Sequence, residues 1–169
     1  MRGEGQGTRG EKVIDQRVIN LDELALEHGE KGERYRSDTV RLGPLLGARS
    51  LGYSYDVVPP GKRACPYHFH HAQEEMFVIL EGTGTLRVAG ELLPLRAGDV
   101  VFIPPGPEYP HHILNTSDAP LKYLSISTRE SPEICEYPDS GKYLAYAKGG
   151  AFDGLQRAEN NLDYWDGEI

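Results

Sequence analysis

A short segment of this sequence concentrates side chains that can bind a metal ion. His68 and His70 are two residues apart. In an extended strand, residues at this spacing point to the same face, so both imidazoles can reach one point in space. Glu75 begins an apolar run in which its carboxyl would share a face with Phe77 and Ile79. Imidazole and carboxylate together suit first-row transition metals such as Fe, Mn, Ni, Cu, Zn or Co.

A fourth ligand can come from a second histidine pair, which follows a segment with four prolines in seven residues. Either His111 or His112 would complete a set of three imidazole nitrogens and one carboxylate oxygen, and these residues alone leave both open. Glu75 is favoured over its neighbour Glu74, because adjacent side chains on a strand point to opposite faces. The spacing therefore predicts a metal-binding cluster that is held on strands.

Aromatic side chains near these ligands are candidates for the wall of a substrate pocket. Tyr53 and Tyr55 share a face of one predicted strand, Phe102 lies in another, and Tyr109 lies in the proline-rich segment beside the histidine pair. We predict that these four residues line the pocket. Tyr109 is the one best placed to act as a substrate contact or a lid.

The elements that carry these residues are short strands. From Leu51 to Val58 the sequence alternates with a period of two, which is typical of a half-buried strand. Ala89 and Gly90 are a plausible hairpin turn between two further strands. Many short runs separated by glycine and proline predict an all-β sandwich or barrel. Among such folds, the jelly roll pairs two sheets and leaves a pocket between them.

The ends of the chain give different signals. Residues 12–20 can form a first strand, and residues 21–29 read as a short helix that Asn20 or Asp22 would cap. The polar residues 30–37 predict a loop, and the sequence beyond Arg129 is rich in turn formers without a clear period. We therefore expect a flexible tail at 1–12, a barrel with a strand and helix extension at 13–130, and an irregular arm at 131–169, packed on the barrel or on a neighbouring subunit.

Length and charge restrict the classes of function. The chain has 169 residues and a net charge of −8, which gives no basic footprint for nucleic acid and no attraction to an anionic membrane. We see no signal peptide and no transmembrane run. Two cysteines, Cys65 and Cys135, do not make a disulfide framework. A cytoplasmic protein that binds a small molecule is the expectation, and the aromatic arm suggests a homodimer.

At this point the residues resemble the cupin superfamily. The first cupin motif corresponds to Gly61, His68, His70, Glu75 and Gly82, with a leading gap that is one residue longer than usual. The second motif corresponds to a further set: Gly98, Pro104, Gly106, His111 and Asn115. In this second motif the gap before the histidine is two residues longer than usual. The gap from His111 to Asn115 is kept, which favours His111 over His112.

The resemblance implies a double-stranded β-helix, which is the cupin jelly-roll barrel and is often dimeric. It also implies one divalent transition metal ion (Fe, Mn, Ni or Zn) held by three histidines and one glutamate: His68, His70, Glu75 and His111. Such a set leaves coordination positions open, as in catalytic sites. Asn115 or Gln73 could hold the outer nitrogen of a ligating imidazole.

Three functions remain in view. The main hypothesis is a metal-dependent enzyme of dioxygenase-like type acting on a small organic substrate. The alternative is a sugar or sugar-phosphate isomerase, in which a carboxylate moves a proton. A phosphate group would need cations near the mouth of the pocket, and Lys62, Arg63 and Arg87 are candidates. The third is a non-enzymatic cupin that binds a small molecule.

Overall fold

The computed structural model describes residues 18–150 and 152–169. The predicted tail at 1–12 and most of the predicted strand at 12–20 lie outside these residues. Within them the chain forms thirteen strands: β1 Glu27–Lys31, β2 Tyr35–Arg41, β3 Leu51–Val58, β4 Phe69–His70, β5 Glu75–Glu81, β6 Thr83–Val88, β7 Glu91–Arg96, β8 Val100–Ile103, β9 His111–Leu114, β10 Leu121–Thr128, β11 Glu133–Tyr137, β12 Lys142–Tyr146 and β13 Asp153–Gln156. The helical parts are short: α1 at Leu42–Leu45 and 3₁₀ turns at Leu21–Glu23, Pro138–Ser140 and Ala158–Asn160.

The strands form three antiparallel sheets, and two of them enclose the core. The first sheet has the order β1-β2-β3-β10-β5-β8, and the second has the order β7-β6-β9. Buried apolar residues of both sheets form one cluster, with Val58, Ile79 and Leu121 from the first sheet and Leu86 and Ile113 from the second. Burial of this cluster stabilises the pairing of the sheets. The predicted all-β architecture is therefore confirmed.

The predicted hairpin turn at Ala89 and Gly90 is also confirmed. These two residues connect β6 to β7 and have φ values of 51° and 83°. Two successive positive φ values are typical of the two-residue turns that match the twist of a hairpin. The described residues contain no helix with the length and apolar character that a membrane crossing would require.

The N-terminal region differs from the prediction. In place of a helix over 21–29 there is a single 3₁₀ turn, in which Asn20 Oδ1 accepts a hydrogen bond from the Asp22 amide at 2.9 Å. The polar residues that follow form β1 and the start of β2 rather than a loop. β2 pairs with β3, with Thr39 opposite Asp56, and so adds the β1–β2 hairpin to the sheet. This pairing overrides local preference, because strand formation depends strongly on the neighbouring strands.

The C-terminal region is more regular than predicted. Three of the strands lie in residues 131–169, and they form a sheet with the order β13-β12-β11-β4. Through β4 this sheet joins the segment that carries the predicted ligands, with Cys135 opposite His70 and Glu136 opposite Phe69. Part of the expected irregular arm is thus a sheet, and its strand β11 pairs with the histidine segment.

Candidate metal centre

Strands of three sheets bring the predicted ligands together. His70 lies on β4, Glu75 begins β5 and His111 begins β9. His68 precedes β4 and is bridged to His111 by two backbone hydrogen bonds of 3.1 Å and 2.7 Å. Because all four residues lie at strand ends or beside a backbone bridge, their positions are fixed by the hydrogen-bond ladders of three sheets.

The side chains converge on one carboxylate oxygen. Oε2 of Glu75 lies 2.7 Å from Nε2 of His111 and 3.5 Å from Nε2 of His68. Nε2 of His70 is also 3.5 Å from this oxygen. The ligand atoms of His68, Glu75 and His111 lie within 4.8 Å of one another, and all three residues are buried. This cluster could hold a metal ion, with His70 at its edge.

The outer nitrogen of each imidazole has an acceptor. Nδ1 of His68 donates to the carbonyl oxygen of Pro66 at 2.9 Å, and Nδ1 of His111 donates to that of Tyr109 at 3.0 Å. A carbonyl oxygen only accepts, so these contacts place a proton on Nδ1, and in the neutral ring Nε2, which faces the cluster, is then the free ligand atom. This is the tautomer that a metal ligand needs, and the donor set therefore fits a divalent transition metal.

Nδ1 of His70 has a buried carboxyl as its partner, which the sequence analysis missed. The Glu133 side chain is fully buried, and its Oε1 lies 3.3 Å from Nδ1 of His70. The same carboxyl accepts hydrogen bonds from the backbone amides of His71 at 3.0 Å and Ala72 at 3.1 Å. It therefore fixes both the ring of His70 and the turn that follows it. In the sequence Glu133 lies in a stretch without periodicity, so no local signal marked it.

The two residues that were expected in this supporting role have other partners. The amide group of Asn115 donates to the carbonyl oxygens of Val58 at 2.8 Å and Ala119 at 2.7 Å. Gln73 Nε2 donates to the Tyr146 hydroxyl. Asn115 therefore joins β3 to the loop after β9, Gln73 joins the turn before β5 to β12, and neither makes the contacts described for the imidazoles.

Electrostatics favours an ionised carboxylate in the cluster. Burial would raise the pKa of Glu75, but the imidazoles of His111 and His68 outweigh it and hold that pKa well below its usual range. Burial is also the largest influence on His70 and lowers its pKa, which favours the neutral ring. Burial opposes protonation of His68, but Cys65 and Glu75 together raise its pKa. A cation that binds here would therefore compete with a proton on His68.

The neighbouring histidines point elsewhere. His112 is 1% exposed, and its ring meets the edge of Tyr67 with centroids 5.3 Å apart. Burial, followed by the charges of Arg63 and Arg87, lowers the pKa of His112 to about 4. His71 Nε2 lies 2.7 Å from Oε1 of Glu136. The structure thus brings His111, and not His112, to Glu75.

A buried cysteine offers a second grouping. Sγ of Cys135 and the ring nitrogens of His68 and His70 lie within 4.8 Å of one another. Both Cys135 and Cys65 are free thiols. Burial raises the pKa of the Cys135 thiol, and this disfavours the thiolate that binds metals. Glu75 and His111 therefore complete the cluster better than this thiol does.

The cavity beside the cluster has a polar wall. It measures about 290 Å³, and its lining includes His68, Glu75 and a row of polar side chains on β2, β3 and β10: Ser37, Thr39, Ser54, Asp56 and Ser125. Phe77 and Tyr123, which pair across strands with Ser125 and Asp56, supply apolar surface beside them. This volume is near the lower limit for small-molecule sites, so the cavity is suited to a compact ligand.

None of the four predicted pocket residues lines this cavity. Ser54 and Asp56 face it from β3, so Tyr53 and Tyr55 point to the opposite side of that strand. Phe102 is 58% exposed and Tyr109 is 40% exposed, and both line a different cavity. Phe102 also lines a further cavity, of about 190 Å³, whose lining includes Glu75. The aromatic residues of the cavity beside His68 are instead Phe77 and Tyr123.

Asp56 is the acidic residue of that wall, and the sequence analysis did not single it out. Its carboxyl accepts hydrogen bonds from Thr39 Oγ1 and Ser54 Oγ, both at 2.7 Å. Burial raises the pKa of Asp56 above its ordinary value, although these two hydroxyls oppose the shift. A buried carboxyl next to a metal-binding cluster is well suited to exchange a proton with a ligand. The alternation of β3 did place Asp56 on one face with Ser54.

Comparison with known proteins agrees with this geometry. Residues 54–127 match the model of the cupin domain family. An uncharacterised protein of Methanocaldococcus jannaschii, MJ1618, is 37% identical over 84 residues, which are 47% of this chain and 65% of that protein. The oxalate-binding protein of Thermotoga maritima is 28% identical over 129 residues, which are 73% of this chain and 94% of that protein.

A solved structure covers more of the fold. The crystal structure of a candidate sugar phosphate isomerase from Acidithiobacillus ferrooxidans superposes with a TM-score of 0.77 and 25% sequence identity. The superposition covers 89% of this chain and 97% of that one, so the likeness extends well beyond the region that matches the family model. From the match to the family model, the two sheets and the convergent histidines, we conclude that residues 54–127 form a cupin domain.

Proposed function

We propose that the protein is a metal-dependent isomerase of a small polyhydroxylated substrate, a sugar or a sugar phosphate. In this proposal His68, His70, Glu75 and His111 hold one divalent transition metal ion. The observation that carries it is the polar wall of the adjacent cavity, with the buried Asp56 at its centre.

The polar wall supports a substrate that is rich in hydroxyl groups. Ser37, Thr39, Ser54 and Ser125 present hydroxyls on the same side of the cavity as Asp56. Each hydroxyl can donate or accept, so the row can bind successive hydroxyls of a short carbon chain. A substrate with few hydroxyl groups would instead favour an apolar wall. The polar lining therefore supports the isomerase alternative better.

Isomerisation needs little more than these groups. A bound divalent cation supplies polarisation of a carbonyl or hydroxyl oxygen. Asp56 lies on the cavity wall, and burial raises its pKa, which makes the carboxyl a better partner for proton exchange than an exposed aspartate would be. Thr39 and Ser54 fix the two carboxyl oxygens and so orient this exchange. Because the reaction rearranges one substrate, it requires no oxidant and no second substrate.

The relatives support two different ligand chemistries. Similarity to a candidate sugar phosphate isomerase over 97% of its chain favours the proposal. Similarity to an oxalate-binding protein over 94% of its length favours a second candidate, in which the same cluster binds a small dicarboxylate without turnover. Both chemistries use oxygen ligands beside a cation, and an experiment must separate them.

The test follows proton exchange at carbon. The protein is loaded in turn with Mn²⁺, Fe²⁺, Ni²⁺ and Zn²⁺ and incubated in D₂O with a panel of aldoses, ketoses and their phosphates, and NMR detects deuterium next to the carbonyl carbon. We expect metal-dependent incorporation that Asp56→Asn abolishes while metal content stays unchanged. Asp38→Asn is the matched control, because Asp38 bonds His28 on the outer hairpin.

Two results would count against the proposal. Absence of deuterium incorporation with every metal and sugar would remove isomerase activity. A metal-dependent rise in Tm with oxalate but not with sugars would favour the binding protein instead, since a ligand that binds the native state raises its stability.

We also propose a homodimer, as the sequence analysis expects. Leu93, Val100, Phe102 and Tyr109 are 40–62% exposed and line one open cavity of about 410 Å³. An exposed apolar surface of this kind is typical of interaction sites, and a second copy of the chain would cover it. Light scattering should give twice the chain mass of 18.8 kDa, and Phe102→Glu should reduce it to one chain. A native protein that scatters as a single chain would contradict the dimer.

A further inference from the structure

A second cavity lies apart from the four predicted metal ligands and is lined by cationic side chains. It measures about 430 Å³ and lies between the tip of the β1–β2 hairpin, the segment before β4 and the turn between β11 and β12. Four cationic residues line it, two from the hairpin and one from each of the other segments: Lys31, Arg34, Arg63 and Lys142. In a chain with a net charge of −8, this concentration of positive charge is unusual.

The positive charge of this cavity is not neutralised by nearby acids. In the part of the chain that the structure describes, none of the four cations forms an ion pair. Asp139 is the acidic residue of the lining, and Arg87 binds both of its oxygens at 2.6 Å and 3.0 Å. Arg87 also holds the pKa of Asp139 below its ordinary value. Asp139 is thus already paired with Arg87, and its single negative charge faces four positive charges in the cavity lining.

The backbone of Arg63 is held in place, but Nε of its side chain lacks a hydrogen-bond partner among the described atoms. Its backbone pairs with the hairpin on both sides, because its amide donates to Arg34 at 3.2 Å and its carbonyl accepts from Arg36 at 3.1 Å. Its guanidinium lies over the ring of Tyr35, 5.6 Å from the centroid. Nε of Arg63 is buried and has no partner among the described atoms. A buried donor of this kind is costly unless a ligand satisfies it.

The guanidinium group of Arg63 indicates which kind of ligand could accept a hydrogen bond from its Nε. The planar fork of arginine matches the paired oxygens of phosphate, and lysines add point charges around it. Four cations in one cavity suit a dianion better than a single carboxylate. We propose that this basic cavity is a second ligand site, separate from the metal cluster, that binds a phosphomonoester group through Arg63, Arg34 and the two lysines.

The site is separate from the metal cavity although the two share a wall. Ala64 lines both cavities. Two residues further on, Pro66 lines the basic cavity while its carbonyl oxygen binds Nδ1 of His68. The segment from Arg63 to His68 therefore separates the two sites. Binding at the basic cavity should not require a metal ion, and the inference stands whether or not the protein is an isomerase.

Calorimetric titration of the full chain tests this inference. The protein is first treated with a chelator and then titrated at low ionic strength with inorganic phosphate, glycerol 3-phosphate and glycerol. We expect both phosphate compounds to bind and glycerol not to bind. Equal affinity for the two would identify free phosphate as a sufficient ligand, whereas tighter glycerol 3-phosphate would identify a phosphorylated organic ligand. Added salt should weaken both, because the contacts are charged.

Two matched variants locate the binding. Arg63→Gln should weaken phosphate binding about tenfold or more, since a charge-assisted bidentate contact is lost. Lys62→Gln removes the same unit of charge from the next residue, but Lys62 does not line the cavity and its Nζ donates to the Glu33 carbonyl. The phosphate affinity of the Lys62→Gln variant should change less than twofold. Lys142→Gln provides a second test if Arg63→Gln does not fold.

Three results would overturn the inference. The first would be that neither phosphate compound binds. The second would be that Lys62→Gln weakens binding as much as Arg63→Gln does. The third would be that binding is seen only after metal is restored. The last result would assign the phosphate to the metal cluster.

Discussion

Replacement of Glu133 by glutamine tests whether the C-terminal sheet contributes to the metal centre. The two oxygens of Glu133 serve three donors: Oε1 faces Nδ1 of His70 and the amide of His71, and Oε2 faces the amide of Ala72. Glutamine has the same shape but only one oxygen. Whichever way its amide is turned, its buried NH₂ group faces at least one of these three donors and loses a hydrogen-bond partner.

The structure sets the size of the expected effects. A buried donor that loses its acceptor costs about 1–3 kcal/mol, and for a chain of this length each kcal/mol lowers Tm by about 2–4 °C. Glu133→Gln should therefore lower Tm by roughly 2–12 °C. Because the ring of His70 also loses its orienting contact, metal affinity should fall roughly 10–100-fold.

The assay needs two measurements and one control. Competition with a chromophoric chelator gives the zinc affinity, and thermal unfolding of the metal-free protein gives the change in stability. Glu136→Gln is the matched control, because Glu136 lies on the same strand but its side chain is 45% exposed and bonds the outward ring of His71. The control should change stability by less than about 0.5 kcal/mol and leave zinc affinity unchanged.

The outcome separates two roles of Glu133. A drop in Tm with unchanged zinc affinity would refute its role in orienting His70 and leave it only a role in the turn after β4. Equal effects of the two glutamine variants would refute both roles.

Three further predictions concern other parts of the molecule. His70→Ala should remove most of the bound metal while the fold persists, and His71→Ala should retain the metal, as elemental analysis of both proteins would show; equal metal content in the two would exclude His70 as a ligand. Burial raises the pKa of Asp56 above 3.8, so the folded state holds this proton more tightly than the unfolded chain, and stability falls as the pH rises from the unfolded value through the raised one. Asp56→Asn lacks this titration, so its Tm relative to the native protein should rise from acid to neutral pH, and a constant difference would contradict the shift. Gly82→Ala should destabilise the protein by about 1–3 kcal/mol more than Gly90→Ala does, as chemical unfolding would measure. The two residues have similar φ values of 85° and 83°, but only at Gly82 would an added Cβ lie 2.5 Å from the Pro120 carbonyl oxygen. Equal destabilisation would show that the loop at Pro120 moves to make room for the Cβ.

The sequence predicted those features that depend on local spacing. The period of two identified β3, the pair Ala89 and Gly90 identified a hairpin, and the spacing of His68 and His70 placed two imidazoles on one side. The hairpin formed by β1 and β2 could not be read in this way. All five residues of β1 are exposed, so no alternation of apolar and polar side chains marked it.

Residues whose role depends on distant pairing were missed. Glu133 reaches His70 across 63 positions of the sequence, and only the pairing of β11 with β4 brings them together. For Asp56 the difficulty was different. Alternation divides β3 into two faces, but both faces contain buried residues, such as Tyr55 on one and Asp56 on the other. Periodicity alone therefore did not reveal which face borders the cavity.

The pairing of β4 with β11 has a consequence for biosynthesis. The region that matches the family model ends at residue 127, so the ribosome completes all four proposed ligands before it adds the carboxyl that supports one of them. A nascent chain, or an expression fragment that stops at 127, contains every ligand but leaves the ring of His70 without its partner. Full assembly of the proposed centre therefore waits until β11 has been translated, and a fragment that tests metal binding should extend through β12, which pairs with β11.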